Sequence, residues 1–214
     1  MEERLAFFDI DKTIINGDSM ILLIKYTVRK HPLALLKLPR VFKDVILYRL
    51  KLISLKEAKE TMFFTLNYLN KKDLKDFYEN VLLKRMYKDG LKEVREKKSK
   101  GYKVVLVSAS PECYIKYFNT IEEVDFVIGT ILEETKDNYI NEIVGENCKG
   151  EEKVRRINKF LEENKITIDY ENSFAYSDSL ADIPMMNLVK NKAFINFNKR
   201  SRDKFLEYMF LNWR

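Results

Sequence analysis

Four short apolar runs, each breaking off into small polar or acidic residues, constrain this 214-residue chain more than anything else in it. Leu5-Ala6-Phe7-Phe8 runs into Asp9, and Val104-Val105-Leu106-Val107 runs into Ser108. Phe174-Ala175-Tyr176 runs into Ser177-Asp178, and Ala193-Phe194-Ile195 into Asn196. Short runs without polar alternation read as strands covered on both faces, the environment of a parallel sheet. Helical patterns separate them. Residues 91–100 stop at Gly101 before the second run, and 152–164 precede the third. Strand–helix alternation predicts an α/β core with a doubly wound parallel sheet, whose site lies beyond the carboxyl ends of the strands. Asp9, Asp11, Ser108 and Asp178 all fall there, far apart in sequence.

Residues 17–85 interrupt this alternation and read as helical throughout. Pro32 suits a helix start. Ser54 with Glu57 is a capping-box pattern, and Asn70 or Asp73 opens a further helix. The expected organisation is therefore a core of residues 1–16 and 86–214 carrying an inserted helical cap, 17–85. A hairpin is expected over 127–144, with its polar turn at Lys136-Asp137-Asn138. The cap is also the basic part of the chain. It holds 15 Lys/Arg against 7 Asp/Glu, while the remainder holds 24 against 26, so an anionic partner is favoured. At 46% hydrophobic residues the chain is too apolar for disorder, and two cysteines, Cys113 and Cys148, do not make a disulfide scaffold. No uncharged stretch approaches the roughly 18–20 apolar residues of a spanning helix. The start lacks the apolar stretch of a signal peptide, so a reducing, cytoplasmic setting is expected.

Four sites could carry chemistry. Asp9 and Asp11, two residues apart at a strand end, repel one another, and partial burial raises the cost. A divalent cation relieves both, and hard oxygen ligands suit Mg²⁺. Asp178 and Asp182 follow another apolar strand, four residues apart. Ser108-Ala109-Ser110-Pro111 offers a hydroxyl and free amides at a helix start, a seat for phosphate. Lys153 stands near a helix start, where a cation opposes the dipole. Each alone is also what a helix cap, polar loop or surface lysine would provide. Together they describe a metal, a nucleophile and phosphate ligands on one edge of the sheet.

This set of residues resembles the haloacid dehalogenase-like superfamily of phosphohydrolases, and within it the phosphoserine-phosphatase-like branch with a helical cap. Phe8-Asp9-Ile10-Asp11-Lys12-Thr13 fits the first motif, Val107-Ser108-Ala109-Ser110 the second, Lys153 after Gly150 the third, and Asp178 and Asp182 the fourth. The hairpin at 127–144 is similar to one this branch carries. The resemblance implies a Rossmann-like core, a Mg²⁺ cofactor and a small phosphorylated substrate. It implies that Asp9 attacks phosphorus and forms an aspartyl-phosphate. Asp11 would serve as acid and then base, its carbonyl touching the metal. Thr13 would steady the loop, Ser108 and the Ala109 amide hold phosphate oxygens, and Lys153 neutralise charge. The implied metal ligands are Asp9, Asp11, Asp178 and Asp182, the last through water or by orienting Lys153. Three residues depart from the family pattern: Lys12 in place of a small residue, Ser177 where Gly is common, and Ala181 where phosphoserine phosphatases carry Asn. Asp18 sits roughly where those enzymes hold a carboxylate for the substrate's amino group.

The cap is basic and aromatic, and on a wheel over residues 33–53 Lys37, Arg40, Asp44 and Lys51 share one face. Most of the remaining surface is apolar, so peripheral membrane contact is one expectation and a cap face packed on its neighbours the other. The function expected is Mg²⁺-dependent phosphomonoester hydrolysis. The alternatives are phosphoryl transfer to an acceptor other than water, and a catalytically silent lipid- or anion-binding protein on the same fold. No nucleic-acid-reading motif is present. His31, the one histidine, has no expected catalytic part.

Overall fold

The apolar runs are continuous because both faces of the sheet are covered. The computed structural model describes residues 2–136 and 138–214. After a short strand β1 (Glu2–Glu3), all four side chains of β2 (Leu5–Phe8) are buried. Ala6 and Phe8 join one apolar layer with Val104, Leu106 and Tyr176. Leu5 and Phe7 join the other with Val105, Val107, Ala175 and Phe194. The period of two thus divides each run between two cores.

The chain leaves β2 for a helical cap: α1 (Ser19–Lys30), a 3₁₀ segment (Pro32–Lys37), α2 (Leu38–Arg49), α3 (Leu55–Met62) and α4 (Lys71–Phe77). Asp18 caps α1, and capping boxes at Ser54/Glu57 and Asn70/Asp73 open α3 and α4. The face drawn over 33–53 does not survive as one helix. Pro39 lacks the N–H that would carry an α-helical ladder through it, and Lys51 lies past the end of α2 at φ +60°. The two ends of the cap meet. Asn16 N–H donates to the Arg85 carbonyl at 2.7 Å, and Tyr87 N–H to Ile14 at 2.9 Å.

The chain then runs through α5 (Lys88–Ser99), β3 (Lys103–Pro111), α6 (Glu112–Ile115) and β4 (Phe126–Thr130). Next come β5 (Leu132–Glu134), β6 (Tyr139–Ile143), α7 (Glu151–Glu163) and β7 (Thr167–Ile168). It finishes with β8 (Phe174–Ser177), α8 (Ile183–Met186), β9 (Asn191–Ile195) and β10 (Met209–Leu211). Among the described residues the main sheet has six parallel strands in the order β10-β9-β8-β2-β3-β4. Strand order reverses at β2, so the crevice at its carboxyl end opens between β3 and β8.

Two expectations are corrected. Residues 127–130 belong to the sheet edge, where they pair with the apolar stretch of β3, and the antiparallel hairpin is β5–β6 alone. The turn residue Asp137 lies outside the described residues. Pro111, which suits the first turn of a helix, instead closes β3, pairs with Thr130 and stands at the cap position just before α6, which starts at Glu112. The register shifts between Val107 and Pro111, a bulge that re-aims Ser108–Ser110 at the crevice. The hairpin also braces the cap: Asn141 Nδ2 donates to the Glu60 carbonyl at 3.0 Å, and Ile143 N–H to its carboxylate at 2.9 Å.

Gly129 is where β4 passes closest to this bulge. A Cβ there would stand 2.6 Å from Ile115 Cδ1, 2.9 Å from the Ser110 carbonyl and 3.1 Å from Glu112 Cα. Gly129→Ala is expected to destabilise the protein by about 1–3 kcal/mol, because two of the three obstacles are backbone. For a chain of this size thermal melting should show a drop of about 2–10 °C; an unchanged midpoint would mean the bulge is free to move.

Candidate active site

The loop after β2 is wound tightly. The Ile10 carbonyl accepts from the amides of Thr13, Ile14 and Ile15 at 3.2, 2.9 and 3.0 Å. Lys12 turns the chain at φ +59°, a left-handed conformation uncommon for a residue with a Cβ. This winding brings Asp9, Asp11 and Thr13 to one place. Thr13 Oγ1 donates to Asp9 Oδ2 at 3.2 Å and accepts from the Asp178 amide at 3.0 Å, tying the β2 loop to the β8 loop.

Lys153, in the first turn of α7, is almost wholly buried and lies between two carboxylates. Its Nζ donates to Asp9 Oδ1 at 2.7 Å and to Asp182 Oδ1 at 2.9 Å. The other oxygen of Asp182 accepts from Ser177 Oγ at 2.7 Å. Ser177 Oγ in turn accepts the Ser179 amide at 3.0 Å. The serine that departs from the family pattern therefore holds the fourth-motif loop. Lys153 keeps its proton, since the two carboxylates outweigh its burial. Burial pushes the Asp9 carboxyl up, Lys153 pulls it down, and Asp182 and Asp11 push it up further. Asp178 is pushed up to about 6, chiefly by burial, with Lys12 opposing and Asp182 and Asp11 adding to the rise.

Asp11 faces the β3 loop. It accepts from the Ser19 amide at 2.5 Å and from Ser110 Oγ at 2.6 Å, with Ser108 Oγ at 3.3 Å. Ser110 Oγ meets Ser19 Oγ at 2.8 Å, and Ser19 Oγ meets Tyr114 Oη at 3.0 Å. Nothing in the sequence marks Ser19 or Tyr114, and Ser110 is marked only as part of the run Ser108-Ala109-Ser110. The Ala109 carbonyl accepts from Thr130 Oγ1 at 3.0 Å and Asn147 Nδ2 at 3.1 Å, which fixes the loop from behind.

All four aspartates, with Ser108, Ala109 and Lys153, line one cavity of about 230 Å³. Thr13 stands beneath it through its two hydrogen bonds. The cap contributes Asp18, Met20 and Lys59 to the wall, and Lys149 comes from the loop before α7. Burial pushes the Lys59 ammonium down from its ordinary range, with Asp18 and Asp11 opposing. Lys59 and Lys149 were hidden among many lysines in the sequence. Asp18 caps α1 through the Ile21 amide at 3.1 Å while bordering the cavity. A larger open cleft of about 1320 Å³, at the joints of the cap beside Trp213, contains none of the four aspartates. His31 lies near the Tyr68 ring, away from the cavity.

The donor set fits Mg²⁺. Five aspartates, counting Asp18, line the cavity against Lys12, Lys59, Lys149 and Lys153, a surplus of one negative charge, and Lys153 is already taken up by Asp9 and Asp182. Among the described residues no three His, Cys, Asp or Glu side chains form a ready cage for an ion. Mg²⁺ asks for less than that: one or two carboxylates, with waters and a substrate phosphate completing the shell.

Residues 6–187 match the family described as haloacid dehalogenase-like hydrolase. The chain belongs to this family. It is similar to a histidinol-phosphatase of Neisseria meningitidis serogroup C (strain 8013), 24% identical over 91% of this chain and 90% of the relative. Among solved structures, a protein of unknown function from Bordetella pertussis Tohama I has a TM-score of 0.85 at 21% identity, covering 99% of both chains. A phosphoserine phosphatase carrying a phospho-aspartyl intermediate analogue has a TM-score of 0.69 at 15% identity, covering 99% of this chain and 94% of its own. Coverage this complete includes the helical cap, so the shared fold is a capped Rossmann-like core. Among the described residues no helix of this hydrolase is long and apolar enough to cross a membrane.

Proposed function

We propose that this member of the haloacid dehalogenase-like hydrolases is a Mg²⁺-dependent phosphomonoesterase that works on a small phosphorylated metabolite through an aspartyl-phosphate. The observation that carries the reading is the buried Asp9–Lys153–Asp182 array, tied by Thr13 to Asp178 and open to one cavity. Asp9 attacks phosphorus and the bond to the leaving oxygen breaks, while Asp11 passes that oxygen a proton. Water then attacks the aspartyl-phosphate, giving its proton to Asp11, and the bond from Asp9 to phosphorus breaks. Lys153 offsets charge on Asp9 and the phosphoryl group, and Asp182 with Ser177 holds Lys153 in place. The Ser108 hydroxyl and Ala109 amide bind phosphate oxygens. Asp9 and Asp178, with the Asp11 carbonyl, would hold Mg²⁺, and Asp182 would act on it through water. When bound, the ion supplies Lewis-acid charge that lowers the repulsion between carboxylate and phosphate dianion.

The relatives named histidinol-phosphatase and phosphoserine phosphatase support this reading. We read 17–85 as a cap domain on a core of 1–16 and 86–214, a division supported by the pairing of its two joints at Asn16 and Arg85. Buried free Cys113 and Cys148 fit a reducing cytoplasm. Mg²⁺ at a hundredfold excess over its Kd should stabilise the fold by about 2.7 kcal/mol. The melting temperature then rises by about 5–10 °C. Mg²⁺ should also switch on hydrolysis of p-nitrophenyl phosphate, and EDTA should reverse both effects. Full activity in EDTA, or no thermal shift with the ion, refutes the metal assignment.

A further inference from the structure

Helix α2 is apolar on two sides. Its inner side turns Val41, with Leu38 and Val45, onto Ala34 and Phe64. A surface helix needs one such stripe. Here a second one faces outward, with Phe42 66%, Ile46 56% and Leu50 62% exposed. At 100° per residue these three lie within about 80°, and Lys43 and Arg49 border them on either side. Leu33 and Leu36 of the 3₁₀ segment and Leu52 beyond the helix extend the exposed apolar surface.

The cations around this surface are unengaged. The side chains of Lys37, Lys43, Arg49 and Lys51 form no ion pair or hydrogen bond with a described residue. Residues 32–52 hold five Lys/Arg and one acid, Asp44. That acid is already taken by Thr61 Oγ1 at 2.7 Å and Arg40 at 4.0 Å. Elsewhere in the cap lysines do find carboxylates, as Lys30 does Asp73 and Lys71 does Glu134.

We propose that this face of the cap docks on an anionic lipid surface. Apolar side chains bordered by cations suit the boundary between headgroups and acyl chains, where the leucines, Phe42 and Ile46 leave water and the cations meet lipid phosphates. A second copy of this chain is a poor occupant, because a twofold contact would set five cations against five. The inference concerns only the outer surface of the cap and is independent of the chemistry in the cavity.

Co-sedimentation of the full chain with vesicles tests it. The protein should pellet with phosphatidylglycerol/phosphatidylcholine vesicles, not with phosphatidylcholine alone, and about 0.5 M salt should weaken binding by screening. Phe42→Ser/Ile46→Ser and, separately, Lys43→Glu/Arg49→Glu should each lower affinity by about tenfold or more at an unchanged melting temperature. Any of three results overturns the proposal: protein that stays in the supernatant with anionic vesicles, either variant pair binding as well as the parent, or a lipid-free dimer that Phe42→Ser/Ile46→Ser dissolves.

Discussion

Asp9→Asn should leave a folded protein that hydrolyses p-nitrophenyl phosphate at least about a thousandfold more slowly, since removing a nucleophile costs on the order of 10³–10⁶ in turnover. An amide is isosteric with the carboxylate but cannot form the mixed anhydride with phosphate. The substitution is mild for the fold. Lys153 retains Asp182 at 2.9 Å, and the Asn carbonyl can still accept from Lys153 and Thr13. It also removes one charge from a cavity that five aspartates line. Unfolding in urea should therefore show stability equal to or above the parent, the trade usual for sites held in a strained electrostatic state. Retained turnover would exclude Asp9 as nucleophile, whereas lost turnover with lost folding would leave its role undecided; the urea measurement separates the two.

Lys153→Met should be the most damaging single change to the fold. The ammonium is the cation placed directly between Asp9 and Asp182, and all three are buried. Breaking a buried ion pair by removing one partner costs about 3–5 kcal/mol, because the remaining charge has neither water nor counter-ion. A melting temperature lower by about 6–20 °C follows for this length, and turnover is lost with it. The variant should also lose stability over a wider pH range than the parent, whose Asp9 carboxyl already sits above its unfolded value. Without Lys153 the Asp9 carboxyl rises further above its unfolded value of about 4, so the folded state binds more protons than the unfolded one. Stability of the variant then falls as pH rises from about 4 through neutrality. Adding Asp9→Asn to Lys153→Met should recover part of the loss, and the double-mutant cycle measures their coupling. Additive effects would mean that the two side chains act independently.

The central strands and the four aspartates were legible in the sequence for one reason. Burial on both faces keeps the runs over residues 5–8, 104–107, 174–176 and 193–195 apolar, and the site begins where polar residues return, at Asp9, Ser108 and Asp178. Capping boxes were equally readable, because Ser54/Glu57 and Asn70/Asp73 act within one turn of helix. Features that depend on distant chain segments were not. The network from Asp11 through Ser110 and Ser19 to Tyr114 joins residues up to 99 positions apart, each an ordinary residue locally. Strand β10 is three residues long and has no period to detect, yet it pairs with β9 and leads into Trp213, which lies against Phe8 and Tyr176. The face drawn over 33–53 depends on one continuous helix, and the α-helix is confined to Leu38–Arg49, after the 3₁₀ segment and before the turn at Lys51.

The meeting of Asn16 with Arg85, and of Ile14 with Tyr87, has an evolutionary consequence. An insert whose ends touch spans no distance, so the sheet beneath it need not adapt to the insert's length or internal design. Closing such a loop costs little more for a long excursion than for a short one, about 0.6 kcal/mol per doubling. Selection can therefore reshape or exchange the lid as a module while the phosphoryl chemistry below it stays as it was.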